Sequence, residues 1–270
     1  MSNARARYEA QASKERIVTV GDLDGRRIVI TGAASGVGAG LVAGLTERGA
    51  RVVGFDLDAE AGQANADKHG TGFAACDISD PESVATAFQE ADRVLGGLDC
   101  FINAAGVAPA EAAASTPLEL WELCHRVNAT GTFLTNLKAF ERLKDNGGRI
   151  INFASAAGMA AYPSKAAYAA SKGSVLAWVR TIAVEWAPFG ITVNAIGPLM
   201  WTSMYDKTRA GIAPENLPAH DALIKSIIPM GRMGQVESDL VPVLAFLAGE
   251  GSGFITGQTI MIDGGQTQVR

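Results

Sequence analysis

The sequence has few of the residues that build disulfide frameworks, metal sites or nucleic-acid surfaces. Its three cysteines and three histidines are scattered along 270 residues, without the spacing of a disulfide set or a zinc site. The net charge of −5 offers no basic excess to neutralise phosphates, which excludes a nucleic-acid partner. No run of about 18 apolar residues is present, and the first twenty residues lack the apolar core of a signal peptide. We therefore expect a cytoplasmic protein with no metal and no membrane contact.

Glycine is abundant: it accounts for 31 of the 270 residues, whereas its usual share is about 7%. This excess indicates tight turns and close approaches of the backbone. Hydrophobic residues make up 48% of the chain, enough for a substantial core. We predict a polar N-terminal extension over residues 1–24 and a single catalytic domain over residues 25–270, because no linker or composition shift divides the remainder.

Short β-branched runs alternate with helical patterns along most of the chain. "RIVIT" and "RVVGFD" frame a helical stretch that ends in glycine, which together form a βαβ unit of about 30 residues. The alternation continues with one long helix predicted over "PLELWELCHRVNATGTFLTNLKAFERLK". Strands that are apolar throughout and alternate with helices predict a Rossmann-type α/β fold, a doubly wound parallel sheet with helices on both faces.

The stretch "TGAASGVG", residues 31 to 38, places Gly32, Gly36 and Gly38 between a strand and a helix. A side chain in such a turn would block the approach of a pyrophosphate, and the N–H groups of the helix start favour an anion. A glycine triplet can also serve helix–strand packing alone. The strand–turn–helix context favours a nucleotide site.

Asp56 ends the second strand, 18 residues after Gly38, near the offset of an acid that binds the adenosine ribose. A carboxylate there would repel a 2′-phosphate, and Ser35 stands where an arginine could offset that repulsion, so we expect NAD. Asp56 could instead be an ordinary helix N-cap. Asp77 ends the third strand near the expected adenine, and "NAAG", residues 103–106, ends the fourth.

Tyr168 and Lys172 lie four residues apart in "YAASK", on one face of a predicted helix. This spacing suits a surface pair, or a phenol whose pKa is set by a neighbouring ammonium. The rest of the sequence favours the second interpretation.

Taken together, "TGAASGVG", "NAAG", "VNATGTF", "FASAAG", "YAASK" and the C-terminal "GRMG…FLAGEGSGFITGQTIMIDGG" resemble the short-chain dehydrogenase/reductase family over roughly residues 24 to 265. The resemblance implies about seven strands, NAD(P) binding and hydride transfer at a carbon that bears oxygen. It implies Tyr168 as general acid/base, Lys172 as its electrostatic partner, Ser155 as the group that orients the substrate oxygen, and Asn128 as a proton relay. The implied cofactor contacts are Gly32, Ser35, Gly36, Val37, Gly38, Asp56, Asp77, Ile78, Asn103, Ala104, Ala105, Gly106, Tyr168, Lys172, Pro198 and Thr202.

The sequence departs from the family pattern after "ITVNAIGP". Leu199 follows Pro198 where glycine is usual, and Thr202 arrives one residue early, so Ser203 could replace it as the carboxamide contact. We expect a substrate lid over residues 199–233. Its apolar residues could pack on the core or on another subunit, or could form a pocket wall opposite Met159, Ala160, Ala161 and Tyr162. We expect a secondary alcohol or ketone that is hydrophobic or bulky. The apolar lid residues are Met200, Trp201, Met204, Tyr205, Ile212, Leu217, Leu223, Ile227, Ile228 and Met230.

Two other functions are compatible with these motifs. A 3-oxoacyl thioester reductase would share the C-terminal half, although Ser35 and Asp56 argue against its usual NADP. A non-catalytic nucleotide-sensing scaffold would share the fold but would not need the four catalytic side chains. The resemblance also suggests a homotetramer, with a dimer as the alternative, and a small-molecule substrate as the only other partner.

Overall fold

The structure is a computed structural model that describes residues 23–267, apart from four lid side chains at positions 203, 204, 207 and 208. It contains one sheet of seven parallel strands in the order β3-β2-β1-β4-β5-β6-β7, which confirms the predicted doubly wound fold. The strands are β1 Arg27–Thr31, β2 Arg51–Asp56, β3 Gly72–Ala75, β4 Cys100–Asn103, β5 Gly148–Phe153, β6 Ile191–Pro198 and β7 Thr259–Ile262.

The described residues form nine α-helices, none of which has both the length and the apolar character needed to cross a membrane. Short 3-10 turns and two π-helical segments, His125–Thr130 and Val236–Leu240, complete the secondary structure. The helices are α1 Gly36–Thr46, α2 Ala59–His69, α3 Pro81–Leu95, α4 Leu118–Cys124, α5 Gly131–Leu143, α6 Ala166–Trp186, α7 Ser203–Ala210, α8 Leu217–Ile227 and α9 Val241–Ala248.

Side chains of each strand alternate between two hydrophobic cores, one on each face of the sheet. In β1, Val29 joins the core that includes Phe88 of α3 and Val179 of α6. Its neighbours Ile28 and Ile30 join the opposite core, with Leu41 of α1 and others. Because both faces are covered, the strands read as continuous apolar runs and not as alternating ones.

The predicted extension lies outside the described residues, except for its last two positions. Leu23 is fully buried in the core beneath α1, and its N–H donates to the carbonyl of Arg48 at 3.1 Å. The packed part of the chain therefore includes residue 23, just before the boundary that the sequence predicted.

The strand order reverses at β1, which lies between β2 and β4. The loops that follow β1 and β4 leave the sheet in opposite directions, and a crevice opens between them at the carboxyl ends of the strands. Ligands of doubly wound sheets bind in such a crevice. Thr31 and Asn103 are register partners at this point.

The long helix predicted between β4 and β5 is present, but its middle part is π-helical. Helix α4 ends at Cys124, the segment His125–Thr130 is π-helical, and α5 begins at Gly131. Residues 118–130 contain no proline or glycine, so helical periodicity alone gave no sign of the change. The π segment contains the buried Asn128, and such segments often occur at functional sites.

Buried amides connect the sheet to α5 below the crevice. Asn136 and Asn152 donate to each other's side-chain oxygens at 2.9 and 3.0 Å, and the indole of Trp178 donates to Asn136 at 3.2 Å. Asn103 donates to the hydroxyl of Thr132 at 2.9 Å. Polar groups without water need such partners, so the network fixes how α5 lies on the sheet.

We predict that Asn136→Leu lowers the free energy of unfolding by about 1–3 kcal/mol, because Asn152 and Trp178 lose a buried hydrogen-bond partner. Urea unfolding followed by circular dichroism measures the change. Gln63→Leu is the control, since Gln63 is exposed and bonds only Asp67 on the same helix, and it should change stability by less than about 0.5 kcal/mol. Equal stability of the two variants would contradict the structural role of the amide pair.

Candidate active site

A cavity of about 630 Å³ occupies the crevice at the carboxyl ends of the strands. Every predicted cofactor contact lines it except Asn103, and Ser155 lines it as well. Residues separated by more than a hundred positions in sequence thus meet in one cavity. The described residues contain no group of three or more His, Cys, Asp or Glu that could hold a metal ion.

The glycine turn lies at one end of this cavity. Gly32 has φ +74°, and a Cβ on Gly38 would lie 2.0 Å from the Gly32 carbonyl oxygen, so a side chain at position 38 would break the turn. Helix α1 begins at Gly36, and no side chain caps its first N–H groups. Gly36, Val37 and Gly38 line the cavity, so these uncapped donors suit a pyrophosphate.

Asp56 lies at the end of β2 on the cavity wall. Its carboxylate accepts the N–H of Ala34 at 2.9 Å, across the glycine turn, and the N–H of Asp58 at 3.0 Å. The N-cap of α2 is Asp58, which accepts the N–H of Ala61 at 3.0 Å. The N-cap of α2 is therefore Asp58 and not Asp56. Two backbone N–H groups orient the Asp56 carboxylate beside the glycine turn.

The adenine end of the predicted site is formed by the loop after β3. Asp77 accepts the N–H and the hydroxyl of Ser79 at 2.9 and 2.7 Å, while Asp77 and Ile78 both line the cavity. Leu57 lines the same region and is 73% exposed, which leaves an apolar surface free for a ring. Burial raises the pKa of the Cys76 thiol to about 12, so this cavity residue is neutral at physiological pH.

Tyr168 and Ser155 meet at the other end of the cavity. Tyr168 lies in the first turn of α6, Ser155 follows β5, and both residues line the cavity. Ser155 accepts the N–H of Ala157 at 3.1 Å, which fixes its hydroxyl. Burial raises the pKa of Tyr168, and the nearby Ser155 hydroxyl opposes that rise. The net direction is opposite to the lowering expected from a neighbouring ammonium.

Lys172 is one helical turn beyond Tyr168 and only 5% exposed. Its Nζ donates to the carbonyl of Phe153 at 2.6 Å and lies 6.0 Å from the centroid of the Tyr168 ring. Burial lowers its pKa to about 8. Tyr168 and Lys172 both line the cavity, so they are not an ordinary surface pair.

Asn128 is buried beneath the cavity wall and does not line it. Its side chain accepts the N–H of Val107 at 2.9 Å and donates to the Val107 carbonyl and to the Ser171 hydroxyl, both at 2.9 Å. These bonds hold the loop after β4 against α6. A proton relay through Asn128 stays a prediction; its main-chain carbonyl accepts the Thr132 hydroxyl at 2.7 Å.

Asn103 is the one predicted cofactor contact that does not line the cavity. Its side chain is buried among polar partners, accepting the Thr31 hydroxyl at 2.8 Å and donating to Thr132. Thr31 in turn accepts the N–H of Ala105, a cavity residue, at 3.0 Å. Asn103 therefore positions the loop that forms the floor instead of contacting a ligand with its side chain.

The lid contributes fewer cavity residues than the sequence suggested. Of the nine apolar lid residues whose side chains the structure describes, only Met200 lines the main cavity, together with Leu199 and Thr202. The side chain of the tenth, Met204, lies outside the described part. Thr202 also accepts the N–H of Tyr205 at 3.4 Å, while the side chain of the alternative contact, Ser203, lies outside the described residues.

The other lid residues and the predicted facing wall lie elsewhere. Ile228 is buried in the protein, whereas Leu223, Ile227 and Met230 are exposed. Trp201 and Tyr205 line a second cavity of about 310 Å³. The predicted facing wall, Met159 to Tyr162, is exposed at the surface and does not line the main cavity.

Several cavity residues escaped the sequence analysis. Most are direct neighbours of motif residues at strand ends, so a search that included flanking positions would have found them. Leu123 and Val127 lie in the helical region after β4. Val127 begins the "VNATGTF" motif, whereas Leu123 had no signal of its own. The residues not named as site residues are Phe55, Leu57, Cys76, Val107, Ala108, Leu123, Val127, Phe153 and Ala154.

Comparison with known proteins identifies the family to which the chain belongs. The family model described as "Enoyl-(Acyl carrier protein) reductase" matches residues 32–267. A D-threitol dehydrogenase of Mycolicibacterium smegmatis is 36% identical over 253 residues, 91% of this chain and 94% of that protein. The chain belongs to the short-chain dehydrogenase/reductase family. The resemblance inferred from the motifs is thereby confirmed.

Two further relatives extend the comparison within this family. An NAD-dependent glycerol dehydrogenase of Listeria innocua is 35% identical over 245 residues, covering 88% of this chain and 92% of that protein. The crystal structure of a short-chain type dehydrogenase/reductase from Mycobacterium marinum superposes with a TM-score of 0.82 at 31% identity, covering 93% and 98% of the two chains. Dehydrogenases of this family use nicotinamide cofactors, and the chain is an oxidoreductase of this kind.

We predict that Lys172 makes stability depend on pH. Its pKa of about 8 is below the ordinary value of 10.5, so between these values the unfolded chain binds more protons than the folded one. The free energy of unfolding therefore gains a contribution that rises with pH from about 8 to 10.5. In urea unfolding from pH 7.5 to 10, the free energy of unfolding of wild type should rise relative to that of Lys172→Met as pH increases.

Lys138→Met is the matched control for this measurement. Lys138 is on the surface of α5 and pairs with Glu141, so its removal should leave the slope of wild type almost unchanged. A Lys172→Met protein whose stability follows wild type in parallel across this range would show that the ammonium is not desolvated.

Proposed function

We propose that the protein is an NAD-dependent oxidoreductase that interconverts a secondary alcohol and a ketone. The observation that carries this proposal is a single cavity with Tyr168, Ser155 and the buried Lys172 at one end, and Asp56 beside an uncapped helix start at the other. The names of the relatives, which include a threitol and a glycerol dehydrogenase, support an oxidoreductase that acts on alcohols.

The side chains at the Tyr168 end suit proton transfer to and from a substrate oxygen. When bound, NAD supplies the acceptor for the hydride that leaves the carbinol carbon. Ser155 donates a hydrogen bond to the substrate oxygen, and Tyr168 accepts the hydroxyl proton as the C–H bond breaks. In the direction of reduction Tyr168 returns the proton. General acid–base transfer of this kind contributes about 10²- to 10⁴-fold in rate.

The raised pKa of Tyr168 makes the phenolate costly, so the site needs positive charge close to the ring. Lys172 is the cation that α6 supplies, 6.0 Å from the ring centroid. An ammonium stabilises a neighbouring phenolate strongly where water is excluded. The phenolate in turn favours the protonated form of Lys172, whose burial otherwise lowers its pKa. The two groups are therefore expected to titrate as a pair.

Asp56 supports NAD over NADP. Its carboxylate, oriented by Ala34 and Asp58, has lone pairs left for the two ribose hydroxyls of adenosine. A 2′-phosphate at the same place would meet like charge, and Ser35 offers no compensating cation. The name of the Listeria relative, an NAD-dependent glycerol dehydrogenase, is in keeping with this preference.

Reduction of the 3-oxo group of an acyl thioester is the second candidate. The description of the matching family model also names an acyl-carrier substrate, although an enoyl reductase acts on a C=C bond and not on a ketone. Such reductases usually prefer NADP, which the pairing of Asp56 with Ser35 opposes. A panel of secondary alcohols, polyols and one 3-oxoacyl thioester, followed by NADH and NADPH absorbance at 340 nm, separates the two candidates. A non-catalytic scaffold would show no turnover with any of them.

Substrate polarity and assembly remain predictions. A hydrophobic or bulky substrate is supported by Leu199 and Met200 on the cavity wall, but the relatives' names point to hydroxyl-rich alcohols. The homotetramer is supported by apolar side chains left exposed on α5 and near β7, including Phe133 and Phe254. A cytoplasmic location is part of the same proposal.

We predict that Tyr168→Phe lowers kcat about 10²- to 10⁴-fold while the dissociation constant for NADH changes less than about threefold. The phenylalanine keeps the ring and removes only the proton-transfer group. Steady-state kinetics and NADH fluorescence measure the two effects. Tyr162→Phe is the matched control, since the Tyr162 hydroxyl bonds Gln266 at 3.4 Å outside the cavity and its loss should leave most of the turnover. Substantial turnover by Tyr168→Phe would exclude Tyr168 as the acid/base.

We predict that Asp56→Ala reduces the preference for NAD over NADP at least about tenfold, measured as the ratio of kcat/KM values for the two cofactors. The substitution removes both the ribose acceptor and the repulsion of a 2′-phosphate. Asp58→Ala removes a carboxylate two residues away that caps α2, and it should leave the ratio unchanged. A wild-type enzyme that already prefers NADP would refute the assignment of Asp56.

A further inference from the structure

A second lysine lies next to Tyr168. Lys165 occupies the N-cap position of α6, three residues before the tyrosine. Its Nζ is 6.0 Å from the centroid of the Tyr168 ring, the same distance as the Nζ of Lys172. Lys172 reaches the ring beside the Phe153 carbonyl of β5, whereas Lys165 donates to the carbonyl of Ala108 in the loop after β4. Ala108 and Tyr168 both line the cavity, so the Lys165 ammonium lies at its edge.

This ammonium has no ion pair with any residue that the structure describes. Glu111, whose backbone pairs with that of Lys165, directs its carboxylate to the N–H of Ala112 and the hydroxyl of Ser115. Burial lowers the pKa of Lys165. One of the three donors of the ammonium serves Ala108, which leaves two for a ligand.

The backbone holds this lysine in a fixed position. Ser164 has φ +60°, the one non-glycine residue with a positive φ in the part of the chain described, and its carbonyl accepts the N–H of Glu111 at 2.8 Å. Together with the bond from Lys165 to Ala108, this contact ties the loop after β4 to the start of α6. A side chain in the left-handed region costs about 1 kcal/mol or more, and such positions cluster at ligand sites.

We propose that Lys165 is a specificity-determining residue that binds a second oxygen of the substrate, on a carbon close to the reacting carbinol. The inference rests on the proposed alcohol dehydrogenase function and narrows its substrate class to 1,2-diols, polyols and the matching hydroxyketones. Tyr168 and Ser155 take the reacting oxygen, and the two open donors of Lys165 lie beside the Tyr168 ring, where a neighbouring hydroxyl would reach them. The apolar residues Leu199 and Met200 then cover the carbon skeleton.

The physical reason is that a polar site favours a substrate that pairs with its charged donor and disfavours one that leaves the donor unpaired. A substrate with the second oxygen satisfies the ammonium, whereas a mono-alcohol displaces water from it and offers nothing in return. A site built to hydrogen-bond a substrate hydroxyl rejects the analogue that lacks it far more strongly than an apolar site rejects a change in size. A hydrogen bond to a charged group corresponds to a difference of about tenfold or more.

The test compares butane-2,3-diol with butan-2-ol, which differ by one hydroxyl. For wild type we expect kcat/KM with NAD to be at least about tenfold higher for the diol. Lys165→Met keeps the length of the side chain and removes the charge, and it should bring the ratio of the two substrates close to one, mainly through KM for the diol. The ratio is the readout, so a general loss of activity cancels. Lys225→Met, a lysine on α8 outside the main cavity, is the matched control and should keep the wild-type ratio.

Two outcomes would overturn the inference while leaving the proposed function intact: a wild-type enzyme that oxidises both alcohols equally well, or a Lys165→Met enzyme whose ratio stays within twofold of wild type. Lys165→Gln replaces Lys165→Met if circular dichroism shows that the methionine variant is not folded.

Failure of the proposed function is recognised separately, as absence of turnover of every alcohol by wild type. Calorimetric titration of NADH-loaded protein with butane-2,3-diol then still decides the role of Lys165. Binding at least about tenfold tighter to wild type than to Lys165→Met supports the site, and equal binding overturns it.

Discussion

The arrangement of the site depends on a buried cation. Lys172 is almost fully enclosed, and its ammonium is held by the carbonyl of Phe153 at the end of β5. An ammonium without water is costly unless it is hydrogen-bonded and paired. The fold supplies one carbonyl and no carboxylate partner among the described residues, which leaves the charge available to the phenol and to ligands in the cavity. The low pKa of Lys172 is the physical sign of this unsatisfied charge.

The surrounding polar residues have a different task. Asn128 and Asn103 are buried below the cavity, and each binds a backbone group or side chain of the loops that form its floor. These bonds fix the position of the loop after β4 beside Tyr168. The bond from Lys165 to the carbonyl of Ala108 is a further contact that holds this loop. The reactive end of the cavity is thus preorganised by hydrogen bonds that do not touch the substrate, as accurate positioning requires.

Local chemistry explains which features could be predicted from the sequence. The alternation of apolar strands with helices follows from burial on both faces of the sheet, and the turn at Gly32 and Gly38 follows from the space that a side chain would need. The π-helical segment between α4 and α5 could not be predicted in this way. It is stabilised by bonds from Asn128 to Val107 and Ser171, residues distant in sequence, so helical periodicity carried no trace of it.

The sequence by itself determined the doubly wound fold, the glycine turn and the spacing of Tyr168 and Lys172, because each depends on neighbours within one or two elements. Only the tertiary structure decided that Asp58 caps α2 while Asp56 faces the cavity, and that Asn103 lies beneath it. It also showed that most of the apolar lid residues with described side chains do not line the main cavity, and that Lys165 bonds Ala108, a residue of that cavity. The physical reason is that the direction of a side chain is set by what packs against it, and those partners come from distant parts of the chain.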